Sequence, residues 1–340
     1  MDVIAAARTV ATDVLGPAAA DVDAGDTIPA GHLRALADAG MFGLAHPDAG
    51  IDDATRRTVT RHLAAACGAT CFVWAQHAGT LARLASTPNT GLRDRWLERC
   101  TSGEVLAGTA FAHLRRAGAP TLTARRMAEG WRLDGLAPWA TSWGLAGVFS
   151  IAARTEDGQI VWAAIEGRER EGLGATAPLE LSVMRATRTV ELVFDGALIG
   201  EDEVLSVERF DDWHGPDRRK AARVTPAVLG VVDAALASIG GREVPGAPEI
   251  LAALRAQLEG WEADDADQVA DGAGPDQLAT HRAALLDLAG RATTAAIALA
   301  GGNAMLQAHA TQRLARERLF YVVQAQSGDG RRATLERLRP

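Results

Sequence analysis

Cysteine and tyrosine are scarce in this chain of 340 residues, which has three cysteines and a single tyrosine. The cysteines, Cys67, Cys71 and Cys100, are odd in number and form no Cys-x-x-Cys pair. No set of histidines and cysteines has the spacing of zinc ligands, so neither a disulfide framework nor a structural metal is expected. A chain of this length builds its core without them, and we expect a reducing, cytoplasmic compartment.

Basic residues and long apolar runs are also in short supply. The chain has 35 Lys and Arg against 43 Asp and Glu, for a formal net charge of -8. This balance argues against nucleic-acid binding, which needs a basic surface. No run of about 18 apolar residues and no secretory signal pattern is apparent, so no membrane association is expected. We expect a small-molecule partner, for which Arg218, Arg219 and Arg223 could form a local phosphate site.

Helical periodicity covers both ends of the chain. Up to about residue 103 apolar residues recur at helical spacing, and residues 56–85 are apolar around much of the circumference, which predicts one long buried helix. Helical patterns return at about residue 216 and continue to residue 326. The acidic residues 259–276 lack the ligand ladder of a calcium loop and are predicted to form a solvated loop.

The period changes to two between about residues 104 and 207, where short alternating segments are separated by Gly, Asp and Pro. We therefore predict an α+β, mostly helical fold with three domains. These are an N-terminal helical domain (residues 1–103), a central β-barrel or β-sandwich domain (residues 104–207) and a C-terminal helical bundle (residues 208–340).

Three of the eight tryptophans lie within residues 131–144, "WRLDGLAPWATSWG", between β-like segments. Such a cluster is typical of a sheet core. It also suits a flat ligand, which needs an aromatic wall and a few fixed hydrogen-bonding groups at its polar edge. The residues alone leave both alternatives open.

The domain order and the "PWATS" segment at residues 138–142 resemble the acyl-CoA dehydrogenase superfamily of flavoproteins. The resemblance covers nearly the whole chain and includes residues 33–50, 187–205 and 301–321. It implies an FAD-dependent oxidoreductase that acts on an acyl-CoA or related small molecule. It also implies a homodimer or homotetramer, because the family completes its flavin site across subunits.

The same resemblance assigns cofactor-binding residues. Trp139 would pack on the flavin ring, and Thr141 with Ser142 would hydrogen-bond its polar edge. Thr109 matches a second flavin contact, although Ala110 and Phe111 replace the Glu-Pro that the family carries there. Trp131 and Trp143 are interpreted as sheet-core residues.

The catalytic base of the family is missing. Acyl-CoA dehydrogenation needs a glutamate that takes the α-proton, and the two positions that supply it in the family align with Lys220 and Ala325. Glu317 is interpreted as a structural partner of arginines such as Arg316. We therefore expect weak or absent acyl-CoA dehydrogenation.

Two histidines are candidate replacements for the base, because a neutral imidazole accepts a proton near neutral pH. They are His77, on the predicted buried helix, and His113, beside Thr109. The diphosphate clamp of the family is reduced to Arg242. Two alternatives follow: a flavin-dependent monooxygenase of the same fold, although Gln324 stands where such enzymes commonly have a histidine, or a non-catalytic flavin-binding or partner subunit.

Overall fold

The computed structural model describes residues 2–240, 243–270 and 272–339, with the backbone alone at 267–270. Its N-terminal part is helical, and short polar side chains begin several of the helices. Asp2, Asp52 and Asn89 each accept hydrogen bonds from backbone N–H groups in the first turn that follows. The helices are α1 (Val3–Val10), α2 (Ala19–Ala24), α3 (Ala30–Asp38), α4 (Asp53–Ala66), α5 (Gly68–Ser86) and α6 (Thr90–Thr101).

The long helix predicted over residues 56–85 is broken into α4 and α5 at Cys67. The backbone of Cys67 is extended (φ -153°, ψ 103°), and a new helix begins at Gly68. The Gly68 N–H donates to the carboxylate of Glu317 at 3.2 Å instead of to a carbonyl one turn earlier. The prediction of one helix was wrong because this partner lies in a distant part of the sequence.

Strands occupy the middle of the chain and form one hydrogen-bonded sheet in the order β6-β7-β3-β2-β4-β5-β8, with β1 parallel to β4. The two antiparallel parts of the sheet meet at the Thr123–Arg154 pair between β2 and β4. The strands are β1 (Ala107–Ala110), β2 (Leu122–Met127), β3 (Gly130–Ala140), β4 (Val148–Arg154), β5 (Gln159–Glu166), β6 (Leu173–Ala175), β7 (Val190–Gly200) and β8 (Val204–Arg209).

The C-terminal part is a helical bundle built around its longest helix, α10. That helix contacts each of the other five, and α8 packs on α4 of the N-terminal part. Gly230 permits the α8–α4 contact, because a Cβ there would lie 2.4 Å from the carbonyl oxygen of Arg61. The helices are α7 (Phe210–Ala222), α8 (Ala227–Ile239), α9 (Ala247–Ala270), α10 (Pro275–Ala300), α11 (Ala310–Val323) and α12 (Gly328–Arg337). The predicted fold class is confirmed.

The acidic segment 259–276 is not the solvated loop that its composition predicts, because α9 continues through residue 270. Trp261 is buried and stacks on His281, with ring centroids 4.2 Å apart. Asp265 accepts a hydrogen bond from Arg57 of α4 at 2.7 Å. Within the described residues no group of acidic, histidine or cysteine side chains could hold a metal ion.

Two segments of the bundle, Phe210–Ile239 and Pro275–Met305, are long and apolar enough to cross a membrane by length and composition. In the apolar windows of the two segments, 61% and 44% of the residues are buried inside the protein. The first segment is also interrupted between the end of α7 and the start of α8.

Candidate functional site

The end of strand β3 turns Trp139 out of the sheet. The register of β3 against β7 shifts between Ala137 and Ala140, and Trp139 within this shift has a positive φ of 63°. Positive φ is uncommon for a bulky side chain and is often found at functional sites. The indole is 48% exposed. Its exposure contrasts with Trp131, which is buried as predicted, and with Trp143, which is partly buried against Phe149.

Ser142 lies three residues further on, and its side chain is fully buried. Its backbone also has a positive φ, 76°, and its N–H donates to the carbonyl of Thr187 at 2.8 Å. Its hydroxyl has no hydrogen-bond partner within the described residues. A buried hydroxyl without a partner is costly, so this atom is suited to hydrogen-bond a group from outside the chain.

Thr141 begins a chain of buried hydroxyl groups. Its Oγ1 lies 3.1 Å from that of Thr189, which lies 2.9 Å from that of Thr187. Thr187 donates in turn to the carbonyl oxygen of Met184 at 2.7 Å. The loop before β7 therefore supports the end of β3, and sequence analysis did not identify Thr187 or Thr189 as part of the site.

Thr109 belongs to a second buried hydroxyl chain, formed with β4 and α5. Its Oγ1 accepts a hydrogen bond from Ser150 at 3.2 Å, and the Ser150 hydroxyl lies 2.8 Å from that of Thr80. Thr80 also donates to the carbonyl of Gly108 at 2.6 Å. Helix α5 thus hydrogen-bonds to β1 and fixes the backbone beside Thr109.

His77 also links α5 to β1 by a hydrogen bond, and its role as a catalytic base stays a prediction. Its Nδ1 accepts the backbone N–H of Ala107 at 3.0 Å, and its ring packs edge-on against Phe42. The side chain is 1% exposed. Burial, only partly offset by the carbonyl groups of Cys100 and Phe42, lowers the pKa of the imidazole to about 4. An imidazole with such a pKa is a weak base near neutral pH.

His113 is buried for a similar reason. It lies in a short turn after β1, and its Nε2 donates to the carbonyl oxygen of Ala152 at 2.8 Å. Burial lowers the pKa of this imidazole to about 4 as well, despite the hydrogen bond to Ala152. In this structure His113 makes a structural contact, and its role as a catalytic base stays a prediction.

The two positions that carry the base in the family offer no carboxylate. Lys220 is exposed near the end of α7, and Ala325 follows α11 with a positive φ of 51°. The next acidic residue along the chain, Asp329, receives two hydrogen bonds from Arg218, at 2.6 and 3.0 Å. These bonds hold the pKa of Asp329 below its usual value. Asp329 is therefore a carboxylate ion engaged in an ion pair.

Glu317 is structural, as predicted, but its partner differs from the expected one. Its carboxylate accepts from Arg313 at 2.7 Å, whereas Arg316 pairs with Asp23. Burial raises the pKa of Glu317 against the opposing effect of the Arg313 charge.

Arg282 joins the two helix ends that carry the aligned base positions. Its buried guanidinium donates to the carbonyl oxygens of Ala221 at the end of α7, and of Tyr321 and Gln324 at the end of α11. Burial lowers its pKa to about 10. In the sequence, the one sign of this role is that Arg282 is an arginine within an apolar helical segment.

The arginines proposed for a phosphate site are engaged elsewhere. Arg218 pairs with Asp329, Arg219 donates to the carbonyl of Gly272 at 2.9 Å, and Arg223 lies 3.7 Å from Asp53. Each has a different protein partner, so they do not converge on one anion site. Arg242 lies outside the described residues.

Comparisons with known proteins agree with this architecture. Residues 2–104 match the family model "Acyl-CoA dehydrogenase, N-terminal domain". The mouse (Mus musculus) mitochondrial short-chain specific acyl-CoA dehydrogenase is 23% identical over 212 residues, which are 58% of this chain and 51% of that protein. The matched region thus spans about half the length of this relative.

Solved structures match over almost the whole chain. Butyryl-CoA dehydrogenase from Megasphaera elsdenii superposes with a TM-score of 0.81 at 18% identity, covering 99% of this chain and 97% of that one. A glutaryl-CoA dehydrogenase from Mycobacterium smegmatis in complex with FADH2 superposes with a TM-score of 0.83 at 18% identity, covering 99% and 93%. Residues 2–104 thus match the N-terminal domain of the acyl-CoA dehydrogenases, and the chain as a whole has the fold of these proteins.

Proposed function

We propose that the chain binds FAD at the end of β3. The observation that carries this proposal is the half-exposed indole of Trp139 beside the buried, unpartnered hydroxyl of Ser142. An aromatic wall with fixed polar groups fits a flavin ring. Trp139 would hold the face of the ring, and Thr109, Thr141 and Ser142 would contact its polar edge. When bound, FAD would supply the two-electron redox chemistry.

The substrate we propose is an acyl-CoA or a related small molecule, and the protein an oxidoreductase. This follows from the superfamily, whose matched members include proteins named for short-chain acyl-CoA, butyryl-CoA and glutaryl-CoA. The chain itself supplies no general base at the aligned positions, and both candidate histidines are buried. The proposed role is thus a flavoprotein redox reaction without the α-proton abstraction typical of the family.

A second candidate function is a flavin-binding or partner subunit without catalysis of its own. It is favoured by Arg282, whose hydrogen bonds to the ends of α7 and α11 occupy the region that presents the base in the family. A hydrogen-bonded link between the ends of α7 and α11 is expected of a subunit that keeps the fold but does not carry out the proton transfer.

We also propose a homodimer or homotetramer, formed through the surface at the end of α10 and on α11. The exposed apolar residues of this region are Met305 and Leu306, after α10, and Leu319 and Val323 on α11. Apolar residues exposed in this number are suited to a subunit interface.

The experiment is reconstitution with excess FAD, desalting and an absorbance spectrum, for the wild type and for Trp139→Ala. We expect bound flavin in the wild type and roughly two- to tenfold weaker binding in the variant, because aromatic stacking contributes about 0.5–1.5 kcal/mol. Leu198→Ala, another exposed apolar residue on the sheet, is the control and should keep wild-type affinity. A wild-type protein that emerges colourless refutes the proposal.

Anaerobic mixing of the reconstituted protein with acyl-CoAs then separates the candidate functions. Fast bleaching of the flavin would show acyl-CoA dehydrogenation and rule out the partner subunit, whereas slow or absent bleaching is expected both of a redox reaction without the base and of the partner subunit. Substrate-dependent oxygen consumption after supply of reduced flavin would indicate the monooxygenase alternative.

A further inference from the structure

The hydroxyl chain that ends at Thr141 has a fixed hydrogen-bond direction. A hydroxyl group has one hydrogen to donate, whereas a carbonyl oxygen can only accept. Thr187 Oγ1 lies 2.7 Å from the carbonyl oxygen of Met184, so the single hydrogen of Thr187 is used there. In the 2.9 Å contact between Thr187 and Thr189, the donor must therefore be Thr189.

The same count of hydroxyl hydrogens fixes the hydrogen-bond direction at Thr141. Because Thr189 uses its hydrogen toward Thr187, Thr141 must be the donor in the 3.1 Å contact between Thr141 and Thr189. All three threonines are buried, so water does not compete for these hydrogens. The hydrogen of Thr141 points inward, and only its lone pairs are available to a ligand.

We propose that Thr187 and Thr189 are positioning residues that make Thr141 a hydrogen-bond acceptor toward the flavin. The inference rests on the FAD binding proposed above. The N5 atom at the polar edge of an oxidised flavin accepts a hydrogen bond, and reduction places a hydrogen on that atom. A fixed acceptor at this edge therefore raises the affinity for the reduced ring relative to the oxidised one.

The test compares Thr189→Val with Thr189→Ser. Valine removes the acceptor for Thr141 and leaves the Thr141 hydrogen free to turn toward the ligand, whereas serine keeps the chain intact. Dissociation constants are measured by titration with oxidised FAD and, anaerobically, with chemically reduced FAD. We expect the preference for reduced over oxidised FAD to fall roughly fivefold in the valine variant, the factor that one neutral hydrogen bond provides, and to be restored by serine.

A matched control is Thr123→Val, because the exposed Thr123 hydroxyl of β2 donates to the carbonyl oxygen of Asp134 on β3. This variant should keep the wild-type preference. If Thr189→Val does not fold, Thr187→Val replaces it. Without the Thr187 hydroxyl, Thr189 is free to donate to Thr141, and the same fall is expected.

The two ways of failing are distinct. A wild-type protein that binds neither form of FAD overturns the proposed function and this inference with it. A wild type that binds FAD with the same preference as the valine variant overturns the inference alone.

Discussion

Glu317 and Gly68 lie 249 residues apart in the chain and are joined by a hydrogen bond from the Gly68 N–H to the Glu317 carboxylate, at 3.2 Å. The carboxylate lies so close to the glycine that a Cβ at residue 68 would be 2.7 Å from its Cδ. Arg313 donates to the same carboxylate. The first residue of α5 is therefore packed directly against α11.

This contact predicts that Gly68→Ala destabilises the protein. The added methyl group cannot fit without moving the carboxylate, and such overpacking costs about 1–3 kcal/mol. Urea unfolding monitored by circular dichroism measures the change. Gly79→Ala is the matched control in the same helix: a Cβ there meets nothing within 4 Å, so alanine should stabilise the helix by up to about 1 kcal/mol. Equal effects at the two positions would contradict the packing argument.

The buried histidines predict a loss of stability on acidification. The folded-state pKa values of His77 and His113 are about 4, below the ordinary histidine value of 6.5. Between pH 6.5 and 4 the unfolded chain therefore binds more protons than the folded chain, and the free energy of unfolding falls as the pH falls. Each histidine contributes a loss of about 3 kcal/mol by pH 4.

Urea denaturation at a series of pH values checks this expectation, with His113→Gln as the comparison. Glutamine can still donate to the carbonyl of Ala152 but does not titrate, so the difference between wild type and variant should change across this window. A constant difference between pH 7 and pH 4.5 would show that His113 does not titrate as its burial implies.

The fold class could be predicted from the sequence, whereas the surroundings of the histidines could not. Apolar residues alternate with polar ones between about residues 104 and 207, and this local pattern predicts strands. Trp139 and Ser142 lie in a segment that is unusually rich in tryptophan. The environment of His77 depends on which face of α5 covers β1. The break at Cys67 depends on Glu317. Both depend on contacts between segments far apart in the chain, and the local sequence of one segment does not predict its contact with the other.

We predict that Arg282 stabilises the folded protein through its hydrogen bonds to three carbonyl groups. Arg282→Met keeps much of the apolar stem but leaves the carbonyls of Ala221, Tyr321 and Gln324 without their donor. Since an unsatisfied buried polar group costs about 1–3 kcal/mol, we expect a loss of at least about 2 kcal/mol in urea unfolding. Arg291→Met, on the exposed part of the same helix, should cost less than about 0.5 kcal/mol. A small effect at Arg282 would mean that water replaces the guanidinium.

The last prediction concerns the missing base. Wild-type protein reconstituted with FAD should show slow or no anaerobic bleaching with acyl-CoAs, because neither Lys220 nor Ala325 supplies a carboxylate. Ala325→Glu and Lys220→Glu each place a carboxylate at one of the two positions that the family uses. General-base assistance typically contributes about 10²- to 10⁴-fold, so the variant at the competent position should bleach the flavin at least about 100 times faster than wild type. Ala325→Gln and Lys220→Gln have the same shapes without the charge and should stay at the wild-type rate. Fast bleaching in the wild type, unchanged in His77→Gln and His113→Gln, would show that another residue of this chain already serves as the base.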